Sequence, residues 1–216
     1  MNSSRLKIAR LISLMAVAIV GSLPCHTAHA AAPGSSPPDQ AWFSPTALAA
    51  SPDGQILYIA CATAGQVAVF DLNPQKVSRH IAVPASPLGL ALTPDGRTLY
   101  VTCAAPESTV CVVDSAQAAV VARIPAGHTA MAPVLSPDGR TLYVCNRFNH
   151  DVAFIDVASR KTTRRVTVPR EPVAVAVTPD GRFLLVANHL QAGRSDTDVV
   201  AASVSVIDTA LGQVSK

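Results

Sequence analysis

The sequence predicts an all-β protein, a β-propeller of four-stranded antiparallel blades, and two observations support this. First, a turn phrase recurs at 51–54 (SPDG), 93–96 (TPDG), 136–139 (SPDG) and 178–181 (TPDG), so that successive phrases lie 42, 43 and 42 residues apart. Second, an apolar run precedes each phrase, and two more follow it, the last ending in Asp. A period in the low forties with several short strands per unit is typical of propeller blades.

Each repeat divides into four strands, as the third repeat shows. Its predicted strands, from the innermost to the outermost, are residues 131–135, 141–146, 151–156 and 161–168. In the PDG turn, Pro fixes φ, Asp bonds the backbone ahead of it and Gly adopts a φ that other residues avoid. The first three strands are apolar and the fourth is charged, as expected where neighbouring blades cover the inner strands and water meets the outer one.

Length limits how much of a ring the chain can form. Three repeats are complete, and the fourth reaches Lys216 where its outer strand has just begun. We therefore expect about 3.5–4 blades over residues 44–216. Propellers close with roughly four to eight blades. The pattern favours an incomplete part of a longer protein, and a closed four-bladed ring is the alternative.

A signal peptide is predicted at residues 1–30. Three basic residues precede the apolar run 11–23, and Ala28-His29-Ala30 fits the small-residue rule for cleavage. This run of 13 residues is too short to cross a bilayer and suits a signal-peptide core. Cys25 leaves a lipoprotein open as an alternative, although its neighbours fit a lipidation site poorly.

The mature chain is expected to be exported to the periplasm, the cell surface or the medium, with no transmembrane segment. It begins with an Ala/Pro/Ser-rich stretch, residues 31–43, that is expected to be a flexible lead-in.

Of 17 Lys and Arg residues, three lie in the leader, so 14 remain against 14 Asp and Glu residues. A net charge of zero favours neither a nucleic acid nor an anionic surface as the partner.

The second strand of several repeats ends in Asn or a substitute, as in LYVCN at 142–146, LLVAN at 184–188 and LYVTC at 99–103. With the repeated PDG-x-x-L-Y-V phrase, these segments resemble the YVTN family of bacterial β-propeller repeats over residues 44–216. The family's Asn stands at Asn146 and Asn188 and is replaced by Cys61 and Cys103. The resemblance implies an exported propeller of seven blades. The stretch 187–208 is also similar to family members that carry a C-terminal cytochrome domain.

The charged residues that do not recur from repeat to repeat map to one rim of the predicted propeller. Eight of the 14 acids hold equivalent positions in every repeat, which indicates turn chemistry. The others, apart from Asp39, map to the loops that join the second strand to the third or one blade to the next. Loops on a rigid scaffold are where binding usually occurs. The candidate binding residues on this rim are Arg147, Asn149, His150, His189, Arg194, Asp196 and Asp198.

The loop of the fourth repeat is longer than its counterparts by about ten residues, near QAGRSDTDVV (191–200). Asp196 and Asp198 could contribute to a calcium site, because hard cations bind oxygen ligands at alternate positions. Two carboxylates do not make the full shell of such a site. An insertion that packs over the rim or touches another domain is the favoured interpretation.

The cysteines of the mature chain are expected to be buried free thiols. Each occupies a position that small residues fill in other repeats, and cysteine acts there as a small apolar side chain. Cys103 and Cys111, across one hairpin, are the single pairing left open as a disulfide.

No catalytic, cofactor-binding or metal-binding residues are predicted in the chain. It contains no C-x-x-C-H, H-E-x-x-H, G-x-S-x-G or phosphate-binding loop. Two functions remain. The main one is an exported scaffold that binds a protein or small molecule through its loop rim. The alternative is the propeller module of a periplasmic haem-containing electron-transfer protein or oxidoreductase whose cofactor domain lies beyond residue 216.

Overall fold

The structure, a computed structural model, describes residues 43–84, 86–190 and 202–215. The predicted signal peptide and almost all of the lead-in lie outside these residues. The described residues form an all-β protein of four antiparallel sheets, each with four strands. Blade 1 consists of β1 (Pro45–Ala50), β2 (Ile56–Cys61), β3 (Gln66–Asp71) and β4 (Lys76–Ala82), and blade 2 of β5 (Pro87–Leu92), β6 (Thr98–Cys103), β7 (Thr109–Asp114) and β8 (Ala119–Pro125).

The other two blades follow the same order. Blade 3 consists of β9 (Ala130–Leu135), β10 (Thr141–Asn146), β11 (Asp151–Asp156) and β12 (Lys161–Thr167), and blade 4 of β13 (Pro172–Val177), β14 (Phe183–Asn188), β15 (Ser203–Asp208) and β16 (Gln213–Val214). In every sheet the strands pair in chain order, from the innermost strand to the outermost. The predicted fold class is therefore confirmed, including the short outer strand of blade 4.

The turn after each innermost strand is held by its first residue as well as by the PDG phrase. In blade 3, Ser136 donates its hydroxyl to Asp138 Oδ1 at 2.5 Å and accepts the Thr141 amide at 2.9 Å. The Arg140 amide also donates to Asp138 Oδ1, at 3.0 Å. The hydroxyl–carboxylate bond recurs in the other three turns. The alternation of Ser and Thr at this position thus preserves one hydroxyl group per turn.

These turns predict that the protein loses stability in acid. Hydrogen bonds from Ser136 and from the Arg140 amide lower the pKa of Asp138 below its ordinary value of 3.8, and equivalent bonds lower the pKa of Asp53, Asp95 and Asp180. A carboxylate with a lowered folded-state pKa stabilises the fold above its unfolded pKa, and this contribution disappears as pH falls through the folded value.

The melting temperature should therefore be steady from pH 7 to about pH 5 and fall below about pH 4. Thermal unfolding followed by circular dichroism at each pH measures this. Asp138→Asn should flatten part of the acid slope, and an unchanged slope would contradict the role given to the turn.

The hydrophobic core consists of three clusters, each between two successive blades. The first joins Tyr58, Val67 and Ile81 of blade 1 to residues of blade 2 such as Leu99 and Val113. The second joins blades 2 and 3, and the third joins blades 3 and 4. Burial of apolar surface between sheets is the main stabilising contribution in such a fold. The blades are consequently held by their neighbours.

The four blades form an open arc. The innermost strands β1, β5, β9 and β13 pack on one another in chain order. Among the described residues, β13 does not pack on β1 as the other innermost strands pack on their neighbours. The closed four-bladed ring, the alternative in the sequence analysis, is therefore not the arrangement that the structure has.

The described cysteines are all free and buried, as predicted. Cys103 Sγ and Cys111 Sγ lie 4.0 Å apart. Cys103 faces Thr109 in the β-ladder, so the two cysteines are diagonal neighbours. Diagonal Cα atoms are about 7–8 Å apart in a sheet, more than a disulfide usually spans. The hydrogen bond with Cys111 and burial raise the pKa of Cys103, and burial raises the pKa of Cys145 to about 12, so both stay protonated thiols.

Candidate functional site

The loops that were predicted to share one rim do lie side by side. The β10–β11 hairpin loop contacts the β12–β13 linking loop through the Val168 amide, which donates to the His150 carbonyl at 2.9 Å. The linking loop then contacts blade 4 just after β14, through the His189 amide, which donates to the Glu171 carbonyl at 2.8 Å. We call the surface made by Arg147, Phe148, Asn149, His150, Glu171 and His189 the rim cluster.

Glu171 is the centre of the rim cluster. Arg147 donates from Nε at 3.0 Å and from Nη2 at 2.6 Å to Glu171 Oε2. His189 Nδ1 lies 3.7 Å from the same oxygen. The Arg147 hydrogen bond and charge lower the pKa of Glu171, so that its carboxylate is ionised at neutral pH. Glu171 therefore joins a side chain that follows β10 of blade 3 to one that follows β14 of blade 4.

His150 is held in a defined tautomer by the same residue. The Glu171 amide donates to His150 Nδ1 at 3.1 Å. A neutral imidazole that accepts at Nδ1 carries its proton on Nε2. His150 also has a positive φ of 57°, and Gly65 at the equivalent position of blade 1 has a φ of 58°, so this backbone conformation belongs to the hairpin turn. The site thus presents an N–H donor from His150 beside the Arg147–Glu171 pair.

Phe148 provides an exposed aromatic ring at the edge of the cluster. The Arg147 guanidinium carbon lies 5.0 Å from the centre of this ring, within cation–π range. The His128 ring packs edge-on, with the ring centres 5.0 Å apart. Asn149 fixes the neighbouring loop, because its Oδ1 accepts the His128 amide at 2.6 Å. Positive, aromatic and amide groups are therefore brought onto one patch.

Asn146, at the end of β10, holds the loops next to the rim cluster in place through hydrogen bonds. Its Oδ1 accepts the Gly127 amide at 2.9 Å, and its Nδ2 donates to Asp151 Oδ1 at 2.6 Å. Asn146 is fully buried, and Gly127 has no room for a side chain, because a Cβ there would lie 2.2 Å from Asn149 Oδ1. The asparagine of the repeat thus has a structural function, since it ties a linking loop to a hairpin loop.

Asn188, the equivalent residue of blade 4, lacks one of these bonds. Its Nδ2 donates to Ser205 Oγ at 2.9 Å, but its buried Oδ1 has no hydrogen-bond partner among the described residues. The residue in the place of Gly127 is Pro169, 42 positions later, and proline has no amide hydrogen to donate. The substitution in the linking loop therefore explains the unsatisfied oxygen.

The structure brings together four of the seven predicted binding residues, Arg147, Asn149, His150 and His189. Arg194, Asp196 and Asp198, with the loop insertion, lie outside the described residues. The predicted set omitted Glu171, Phe148 and His128. A signal for Glu171 was present, since it holds the place of Ser44, Ser86 and Thr129, and all four have a positive φ. Glu171 is thus an acidic residue at a position that small hydroxyl residues occupy in the other three repeats.

The described residues contain no group of three or more His, Cys, Asp or Glu side chains placed to hold a metal ion.

A cavity of about 300 Å³ lies on the opposite rim, beside the turns of blades 1 and 2. Its acids, Asp53 and Asp95, already accept the turn hydrogen bonds. Nowhere in the described part of the chain is there an apolar helix of membrane-spanning length.

Two comparisons match the chain to known proteins. The family model described as the Cytochrome D1 heme domain matches residues 97–198, from blade 2 into the loop of blade 4. A solved structure of Kuenenia stuttgartiensis hydrazine synthase is similar, with 29% sequence identity, a TM-score of 0.73 and coverage of 85% of this chain. A search of curated proteins found no match.

The chain spans 52% of the hydrazine synthase chain that it matches. In all, 1344 chains of solved structures match, so this architecture is widespread and does not by itself define an activity. The comparisons support a β-propeller. Membership of the YVTN family remains a prediction.

Proposed function

We propose that this chain is the β-propeller module of an exported haem-containing redox protein, and that the rim cluster is the surface by which it docks its haem-bearing partner or domain. The observation that carries the proposal is the family-model match to a haem domain over residues 97–198. The matched stretch includes every residue of the rim cluster. The likeness to hydrazine synthase supports a redox setting at 29% identity.

Neither histidine of the rim cluster is arranged as the axial ligand of a haem. An axial histidine needs a free lone pair on one ring nitrogen and a donated N–H on the other. His150 uses its Nδ1 lone pair to accept the Glu171 amide, so its Nε2 keeps the proton. His189 points Nδ1 toward Glu171, but its side chain is 64% exposed on the open rim and no apolar enclosure surrounds it. We therefore assign the haem to neither of these histidines and propose that it belongs to the docked partner or domain.

The rim cluster presents hydrogen-bond donors and cationic side chains that can bind hydrogen-bond acceptors on a partner. Arg147 and His189 surround one carboxylate, and the Nε2–H of His150 is a further donor. Phe148 adds an exposed ring that can stack on a partner. Aromatic and Arg side chains are enriched among the residues that dominate binding energy at interfaces. Carboxylates on the partner's surface are the groups that this arrangement would recognise.

Export is part of the proposal. The predicted signal peptide at 1–30 and the lead-in at 31–43 would deliver the propeller of 44–216 to the periplasm, where we place the protein. Cleavage after Ala30 would leave a mature chain with balanced charge, so docking would depend on the local groups of the rim cluster and not on a net field.

The first test is whether haem accompanies the protein. The protein isolated from the periplasm of its own host should show a Soret absorption band, either in its own polypeptide or in a haem protein that is isolated with it. The 216-residue chain expressed alone should be colourless. If the host protein carries no haem and no haem protein accompanies it, the proposal fails and a scaffold without a redox function is favoured.

The second test changes the docking surface. If the haem is on a separate protein, Arg147→Ala combined with His189→Ala should reduce the haem that is isolated with this chain by about tenfold, since interface Arg residues are often critical. Arg140→Ala, an exposed arginine at a PDG turn on the opposite rim, is the matched control. Arg140→Ala should melt within about 2 °C of the parent, because exposed substitutions seldom change stability. The melting temperature of the double variant is measured alongside, because Arg147 is half-buried and pairs with Glu171. Equal haem recovery from the two variants would contradict docking through the rim cluster.

A further inference from the structure

Two cysteines of blade 2 meet across the β6–β7 hairpin. Cys103 Sγ and Cys111 Sγ lie 4.0 Å apart, and both side chains belong to the cluster between blades 1 and 2. The same two positions also meet in blade 4, where Asn188 Nδ2 donates to Ser205 Oγ at 2.9 Å. Contact between these positions is therefore a property of the repeat, and blade 2 fills both of them with thiols.

The other blades do not have this pair. The matching positions hold Cys61 with Ala68 in blade 1 and Asn146 with Ala153 in blade 3. A single buried cysteine is explained by packing, but two sulfur atoms in contact make a pair of soft metal ligands. The hairpin brings together cysteines that the sequence separates by more than a C-x-x-C spacing, so the sequence alone does not indicate this pair.

The distance between the sulfur atoms suits a metal ion between them better than a disulfide. A disulfide has its sulfur atoms about 2.05 Å apart, so the two would have to approach by roughly half of their separation. Two metal–thiolate bonds of about 2.3 Å, as zinc makes them, span up to about 4.6 Å when they are in line. The sulfur atoms at 4.0 Å are close to that value, so small side-chain rotations would admit an ion.

The number of ligands selects the metal. Structural zinc takes four ligands, and iron–sulfur clusters usually take four cysteines. Among the residues that the structure describes, no third His, Cys, Asp or Glu side chain joins the pair. Monovalent copper is a soft ion that thiolates select, and two thiolates in line satisfy it.

Arg123 supplies the charge that such a site needs. It lies directly opposite Cys111 in the β7–β8 ladder, and opposite residues share one face of a sheet. Two thiolates and a monovalent ion together carry one negative charge, which the guanidinium would balance. The hydrogen bond with Cys103 lowers the pKa of Cys111, and the Arg123 charge acts in the same direction. The remaining neighbours in this cluster, such as Val67 and Val101, are apolar and exclude water.

We propose that Cys103 and Cys111 hold one monovalent copper ion between their thiolates, with Arg123 balancing the charge. Each thiol that binds loses its proton to solvent as its S–Cu bond forms, and the oxidation state of the copper does not change. Cys103 is the last residue of β6, so the ion would reach the pair from the rim, beneath the β6–β7 loop. This inference does not depend on the proposed redox function.

The test is copper binding by the full chain, reduced and kept free of oxygen, with copper(I) supplied in competition with the chelator bicinchoninate. We expect one ion per chain, with two sulfur neighbours in its X-ray absorption spectrum. Loss of a residue that only supports a metal ligand often costs about 10–100-fold in affinity, so Cys111→Ala should cost at least about 100-fold. Alanine is the residue of blades 1 and 3 at this position, and thermal unfolding checks that the variant folds.

Cys61→Ala is the matched control for the ligand variant. Cys61 holds the repeat position of Cys103 but faces no second cysteine, so this variant should bind copper as the parent does. Arg123→Gln keeps both thiols and should weaken binding by about tenfold. Arg165→Gln should not weaken it, because Arg165 lies opposite Ala153 in blade 3.

Three results would overturn the proposal. The first is a chain that takes no copper from bicinchoninate. The second is copper binding that Cys111→Ala leaves unchanged or that Cys61→Ala removes equally. The third is a disulfide between Cys103 and Cys111 in the exported protein, found by mass spectrometry after the free thiols have been alkylated.

Discussion

Replacing Gly89 by alanine should lower the free energy of unfolding by about 3 kcal/mol, because the innermost strands of blades 2 and 3 meet at this residue. A Cβ at position 89 would lie 2.3 Å from Pro133 Cδ and 2.9 Å from the backbone nitrogen of Ala132. Backbone atoms cannot rotate away, so the two blades would have to separate. Urea unfolding followed by circular dichroism measures the loss.

Gly54→Ala is the control for this prediction. A Cβ there meets nothing within 4 Å, but the residue has a positive φ of 69°, so the substitution should cause only the backbone strain of about 1–2 kcal/mol. If Gly89→Ala proves no more destabilising than Gly54→Ala, the close approach of β5 and β9 is wrong.

Asn146→Ala should also lower the free energy of unfolding by about 3 kcal/mol, and Asn188→Ala by only about 1 kcal/mol. Both side chains are buried at the same repeat position. Asn146 bonds the Gly127 amide and the Asp151 carboxylate, and its removal leaves both groups without that partner. Asn188 already has an unsatisfied oxygen, so its removal also relieves a penalty.

The two asparagine variants are compared by urea unfolding under the same conditions. Pro169→Gly provides a further check, since it introduces the missing amide and should make Asn188→Ala more damaging than it is in the parent chain. Equal losses for Asn146→Ala and Asn188→Ala would contradict the assignment of the linking-loop bond as the source of the difference.

The local structure of this protein could be predicted from its sequence to within about one residue at most strand ends. The third repeat was predicted to form strands at 131–135, 141–146, 151–156 and 161–168, and the structure has Ala130–Leu135, Thr141–Asn146, Asp151–Asp156 and Lys161–Thr167. This worked because turn chemistry and alternation of apolar residues are local properties. Repetition added to the signal, since each blade confirmed the pattern of the others.

The candidate site was predicted only in part. Arg147, Asn149, His150 and His189 were assigned to one rim because hairpin and linking loops end on the same side of a blade. The central role of Glu171 was missed, because it depends on distances between three loops that are up to 42 positions apart, between 147 and 189. Side-chain contacts of that kind follow from how blades stack, and a single repeat contains no information about its neighbour's side chains.

By itself, then, the sequence determined the blade: its four strands, its turn, the small-residue positions of its cysteines and the rim on which its irregular charges lie. The tertiary structure determined how the blades contact one another. It showed an open arc, the tautomer of His150, the unsatisfied Asn188 and the contact between Cys103 and Cys111. The physical reason is that turn and strand preferences act within a few residues, whereas burial and hydrogen-bond satisfaction are defined only when separate blades come into contact.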